Sequence, residues 1–291
     1  MNPHHPASPL RRIVLLSAAA ALAFALGASP ALSLDSGWAE TEGGRMRLLV
    51  DPSPREDGSF TGILDIALEP GWKTYWRDPG SSGIPPMLDF SRSQGITLET
   101  MQYPPPVRVD DGYAIWAGYT APVRFPLTFS REGSGDARIH ASVFIGICEK
   151  ICVPFQAEFD IDLPRGAVAG DGAEDAIRQA FDSLPQAESS DFRVEKAVYA
   201  GDGAELEISA SLPGFRPAGI APELFVAGPD GFAFAPPKLT SDDGGSARWT
   251  VRVEHMPDAA GKTGSEIIDV VITLGQRAMA QSVAVHGFSG E

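Results

Sequence analysis

The chain has 291 residues, 43% of them hydrophobic and 21% charged, which is the balance of a folded globular protein rather than a disordered one. Its formal charge of −15 repels phosphate backbones and excludes nucleic acid as a natural partner. The 31 Gly and 25 Pro favour turns and short strands over long helices, and the length suits one or two domains at ~150 residues each.

Residues 1–33 have the three-part layout of a secretory signal peptide. Arg11 and Arg12 precede an apolar run from Ile13 to Leu26, and Ala31-Leu32-Ser33 supplies a small-x-small cleavage site. That run is short of the roughly 17–25 residues a membrane span needs, and no later segment is longer. The mature chain is therefore expected to be exported, with no stable membrane insertion after cleavage. Losing the two arginines takes its charge from −15 to −17. Outside the cytosol its two cysteines can form a lasting disulfide.

From about Trp38 to Leu163 the pattern is that of strands. Leu64, Ile66 and Leu68 alternate with their neighbours, as do Val123, Phe125, Leu127 and Phe129, so each set has one buried and one wet face. Pro126 lacks a ladder donor, which predicts an edge or bulged strand there. Residues 166–190 read as a linker. Within it Ala173–Leu184 is expected to be a short docking helix, with Ile177, Ala180, Phe181 and Leu184 on one face and Pro185 as its stop. Residues 191–291 return to strands, with alternating sets at Leu206–Leu212, Trp249–Val253 and Ile268–Leu274. They predict a second β-sandwich. The fold class is all-β, in two units spanning 34–165 and 191–291. With no GxGxxG and no P-loop, no cofactor is expected.

The only cysteines, Cys148 and Cys152, lie in GICEKICVP. Alternating runs flank them: Ile139 to Ile147 before and Val153 to Leu163 after. A hairpin turn at Glu149-Lys150-Ile151 places Cys148 across from Cys152, whereas on a straight strand they would be ~13 Å apart. A bridge here closes about five residues, worth ~2 kcal/mol by chain entropy. Three readings stand on the residues: an exchanging disulfide, a structural bridge in a binding or assembly module, and a soft-metal clip such as a Cu(I) site. A closed zinc site needs four ligands. His140 is eight residues away on a strand's wet face, and His255 and His286 have no companion motif.

The order GWKTYW (71–76), PPP (104–106), DDGYAIWAGY (110–119), VRFPL (123–127) and CEKIC-VP resembles the N-terminal exported domain of the DsbD protein-disulfide reductases and their ScsB-type relatives. The likeness covers about residues 38–165; residues 166–291 resemble the companion β-domain of longer relatives. It implies an immunoglobulin-like sandwich in the periplasm whose cysteine pair takes electrons from a thioredoxin-like module and passes them to oxidised exported proteins. Carried over, Cys152 forms the mixed disulfide and Cys148 resolves it. In the family a loop caps the cysteines with an aromatic ring. The matching loop is Asp110–Tyr119, but the family's usual ring position falls on Gly112, which leaves Tyr113 or Trp116 for the cap. Asp110, Asp111 and Tyr75 complete the candidate supporting set. The three-residue spacer is that of the ScsB-like branch. The family's membrane electron-transfer and thioredoxin-like domains have no counterpart in this sequence, so a separate membrane reductase is expected to reload it.

Overall fold

The structure is a computed structural model, and it describes residues 34–80, 83–110, 112–133, 135–167, 171–200, 204–214, 219–257 and 266–286. The leader expected at 1–33, and Asp111, lie outside the described residues.

The first eleven strands are β1 (Ala39–Thr41), β2 (Gly44–Asp51), β3 (Phe60–Leu68), β4 (Lys73–Tyr75), β5 (Met87–Asp89), β6 (Ile96–Met101), β7 (Val107–Asp110), β8 (Ile115–Tyr119), β9 (Val123–Arg131), β10 (Ala137–Cys148) and β11 (Cys152–Leu163). They form two sheets. One runs β1-β2-β3-β9-β6; the other runs β11-β10-β4-β8-β7, with β5 on β10. All ladders are antiparallel, and the inward residues of both sheets meet in one core. The period-two runs set this up. Ile139, Ala141, Val143, Ile145 and Ile147 are all fully buried, as are Leu64, Ile66, Phe125 and Leu127.

Helix α1 (Asp171–Asp182) follows, two residues earlier than the sequence pattern implies. It buries Ala176, Ile177 and Ala180 against Leu49 and Ile63, with Phe181 packed alongside. This explains why nearly all of β3 is buried, Ile63 and Asp65 included. The face that alternation leaves wet is covered by the helix.

Among the described residues the strands that follow are β12 (Gln186–Ala187), β13 (Arg193–Ala200), β14 (Glu205–Ser211), β15 (Glu223–Ala227), β16 (Ala233–Phe234), β17 (Lys238–Asp242), β18 (Ser246–His255), β19 (Glu266–Leu274) and β20 (Arg277–Val285). Their sheets are β12-β20-β19-β15 and β13-β14-β18-β16, with β17 on β18. The core between them holds Leu206, Ile208, Trp249, Val251, Ile268, Val270 and Ile272. An immunoglobulin-like sandwich is thus followed by a second one. Phe225, Ala227 and Val271 of the second join the buried core of the first.

The edge-strand expectation for Pro126 is corrected. Strand β9 is interior, between β3 and β6. Its ladder with β6 ends at Met101↔Leu127, and the Pro126 carbonyl accepts from Gln102 N at 2.8 Å. The N and O of one strand residue face the same side, so the missing N–H of Pro126 points just past the end of β6, where the ladder asks for none. The irregularity is on the partner, between Leu98 and Thr100 of β6.

Candidate redox site

The long β10–β11 hairpin runs in unbroken register from Ala137↔Leu163 to Cys148↔Cys152, leaving Glu149, Lys150 and Ile151 at the tip. The two cysteines are disulfide-bonded, with Cα atoms 4.1 Å apart, close to the spacing of directly opposed strand residues. The two ends of the bridge differ in environment. Cys148 is 1% exposed, while Cys152 and the whole tip are exposed, with Ile151 at 75%.

Strand β4 closes the buried side. It pairs with β10 through Ile147↔Thr74 and Cys148↔Lys73, and with β8 through Thr74↔Tyr119 and Tyr75↔Gly118. Thr74 faces away from the sulfurs and is fully buried, its hydroxyl donating to the Gly146 carbonyl at 2.9 Å. Tyr75 faces them. Its hydroxyl stands 3.1 Å from Cys148 Sγ and 3.2 Å from Cys152 Sγ.

The Tyr75 ring is held by its surroundings. It meets Trp116 edge-on, with centroids 5.8 Å apart and planes at 78°, a favoured aromatic geometry. Tyr75, Trp116 and Cys148 form a small buried cluster of their own, with Ile84 and Val109 packed against it. Glycines make the room. A Cβ on Gly146 would lie 2.7 Å from the Ile84 Cβ and 3.3 Å from the Tyr75 ring, and one on Gly83 would lie 2.9 Å from that ring.

Of the residues singled out in the sequence, Cys148, Cys152, Tyr75 and Trp116 come together here. Tyr113 does not cover the cysteines: its side chain is 99% exposed. Asp110 is exposed and accepts from Gly112 N at 2.9 Å, so it shapes the β7–β8 turn. His140 lies on the outer face of β10, as expected, but its side chain is only 16% exposed, with Glu158 and Asp160 at 2.7 and 3.1 Å. Among the described residues no group of three or more His, Cys, Asp or Glu is placed to hold a metal.

Sequence reading missed two neighbours of the site. Lys73 sits opposite Cys148 in the ladder, and its Nζ lies 4.5 Å from the Trp116 ring centroid. Alternation along Lys73-Thr74-Tyr75 was the available signal, since residues 73 and 75 share a face. The other is the seam with the second sandwich. Just beyond β4, Trp76 meets Phe225 edge-on at 6.0 Å, and Arg77 pairs with Asp269. On β7, at the end of the same sheet, Arg108 donates to the Leu224 carbonyl and covers the Phe225 ring at 4.6 Å.

These features define an immunoglobulin-like module that carries a disulfide at a hairpin tip, one sulfur residue inside and the other in reach of solvent. Residues 47–164 match the family model described as "Thiol:disulfide interchange protein DsbD, N-terminal". The chain as a whole is similar in fold to the N-terminal periplasmic domain of ScsB from Proteus mirabilis. The TM-score is 0.68 at 23% identity, over 88% of this chain and 100% of that one. No curated protein sequence matches the chain. No helix among the described residues is long and apolar enough to cross a membrane.

Proposed function

We propose that the protein is a periplasmic thiol:disulfide interchange module, working through Cys148 and Cys152. It stands between a thioredoxin-like or membrane-reductase electron donor and oxidised exported proteins. The observation that carries this reading is the asymmetry of the bridge: Cys152 is exposed, while Cys148 is buried beneath a tyrosine hydroxyl that contacts both sulfurs. A bridge closing five residues adds only ~2 kcal/mol to stability, so a purely mechanical role uses it poorly.

The chemistry follows from that asymmetry. A partner thiolate attacks Cys152 Sγ, the Cys148–Cys152 bond breaks, and its electron pair leaves on Cys148 as a thiolate. The hydroxyl of Tyr75, 3.1 Å away, donates to that charge. The partner's second thiolate then displaces Cys152, so the partner ends as a disulfide and the module as a dithiol. Passing electrons on to a client reverses these steps, with Cys152 attacking and Cys148 resolving. Nothing in either direction needs a metal or an organic cofactor.

The test is a trap. Cys148→Ala removes the resolving sulfur, and Cys152 should then accumulate mixed disulfides with thioredoxin-like partners in the periplasm. Trapping by Cys152→Ala instead would reverse the two roles. A parent bridge that resists a thioredoxin-type dithiol, with an equilibrium potential below about −300 mV, would mark it as structural and end the proposal.

A further inference from the structure

Cys148 and Lys73 are direct partners in the β10–β4 ladder, and opposed residues of an antiparallel pair present their side chains on one face. Lys73 is therefore on the sulfur side of the sheet. Its ammonium is fixed there, 4.5 Å from the centroid of the Trp116 ring. Trp116 is 3% exposed and belongs to the same buried cluster as Tyr75 and Cys148. A charge on the wall of such a cluster acts across a lower dielectric than water.

Among the described residues, the elements around the sulfur carry the following charged and titratable groups. Strand β4 supplies Lys73 and Tyr75, the hairpin tip supplies Glu149 and Lys150, and β7 ends in the exposed Asp110. Lys150 is the cation nearest in sequence, but it is exposed beside Glu149 at the hairpin tip. In a chain with a formal charge of −15, a cation held on the sulfur-bearing face of the sheet opposes the prevailing field.

We propose that Lys73, clamped over Trp116, is the cation that stabilises the Cys148 thiolate, and that Lys150 is not. This deepens the interchange reading and rests on it for its use. When a partner attacks Cys152, the electron pair of the broken bond leaves on Cys148, and a thiol of lower pKa leaves faster. Lys73 acts through Cys148 and touches no substrate, so it is a positioning residue.

The thiolate can be measured with no partner present. In a Cys152→Ser background, the Cys148 13Cβ shift is followed against pH. Lys73→Gln and Lys73→Met should each raise the Cys148 pKa by about 0.5–1 unit, the second while keeping an apolar stem on Trp116. Lys73→Arg and Lys150→Gln should leave it in place. The proposal is overturned if both neutral variants titrate like the parent, if Lys73→Arg shifts as far as Lys73→Gln, or if Lys150→Gln shifts further than either. With both cysteines restored, Lys73→Gln should also be reduced several-fold more slowly by a thioredoxin-type dithiol. A parent that no dithiol reduces would end the interchange reading while leaving the titration result intact, so the two failures are distinguishable.

Discussion

The phenolic oxygen of Tyr75 is equidistant, within 0.1 Å, from the sulfurs of Cys148 and Cys152, at 3.1 and 3.2 Å. The same hydroxyl can therefore serve either sulfur when the bond between them opens. Tyr75→Phe keeps the ring against Trp116 and removes only this group. Reduction by a thioredoxin-type dithiol, followed by stopped-flow tryptophan fluorescence, should slow about tenfold, which corresponds to one hydrogen bond to a developing charge. The melting temperature should barely move, and a variant as fast as the parent would remove Tyr75 from the chemistry.

Reducing the bridge should cost little stability. The closed loop is short and both sandwiches have full cores, so urea unfolding of the dithiol form should fall by about 2 kcal/mol or less. A collapse of the fold on reduction would make the disulfide a staple and contradict its proposed use.

Gly118 of β8 lies opposite Tyr75 in the β4–β8 ladder. A Cβ there would lie 2.2 Å from the Thr74 carbonyl oxygen and 3.0 Å from the Tyr75 Cα, both backbone atoms with nowhere to go. Gly118→Ala should destabilise the protein by about 1–3 kcal/mol and slow exchange as well, because it pries Tyr75 from its seat. Urea titration and the dithiol assay on one preparation would show whether the two losses go together.

Asp78 supplies a pH signature. Burial pushes its carboxyl above the ordinary aspartate value, and neither the Gly80 N–H nor the Arg77 charge reverses that. An acid with a raised folded pKa opposes folding once ionised, so the penalty is full above the folded value and vanishes below the unfolded one. Asp78→Asn should therefore stabilise the protein at pH 7. That advantage should shrink as pH falls through the raised value, until variant and parent converge below about pH 4. Chemical denaturation at several pH values gives the comparison, and a gain that persists at low pH would place its origin elsewhere.

The hairpin and the cysteine pairing were legible because period two runs unbroken from Ile139 to Leu163 with a single three-residue interruption. The burial of Ile139, Val143 and Ile147 follows directly from it. Three things were hidden for physical reasons. The outer face of β3 looked wet because a helix more than a hundred residues later covers Ile63, and no local pattern encodes that contact. Pro126 looked like an edge signal because the length of its neighbour β6 is not written in its own strand. Tyr113 attracted attention by lying in the loop that aligns with the family's cap, yet Tyr75 reaches the sulfurs from the strand hydrogen-bonded beside them.

The stretch Lys73–Arg77 sends consecutive side chains into separate surroundings: Tyr75 to the sulfurs, Trp76 to Phe225, Arg77 to Asp269. A slip of this segment by one place would bring Trp76 to the cysteines and Arg77 to the Phe225 seam, or in the other direction Thr74 to the cysteines and Tyr75 to the seam, spoiling both at once. Correct alignment at one station thus enforces it at the other. Insertions in the β7–β8 loop should be tolerated more readily than any change in the spacing between Tyr75 and Trp76.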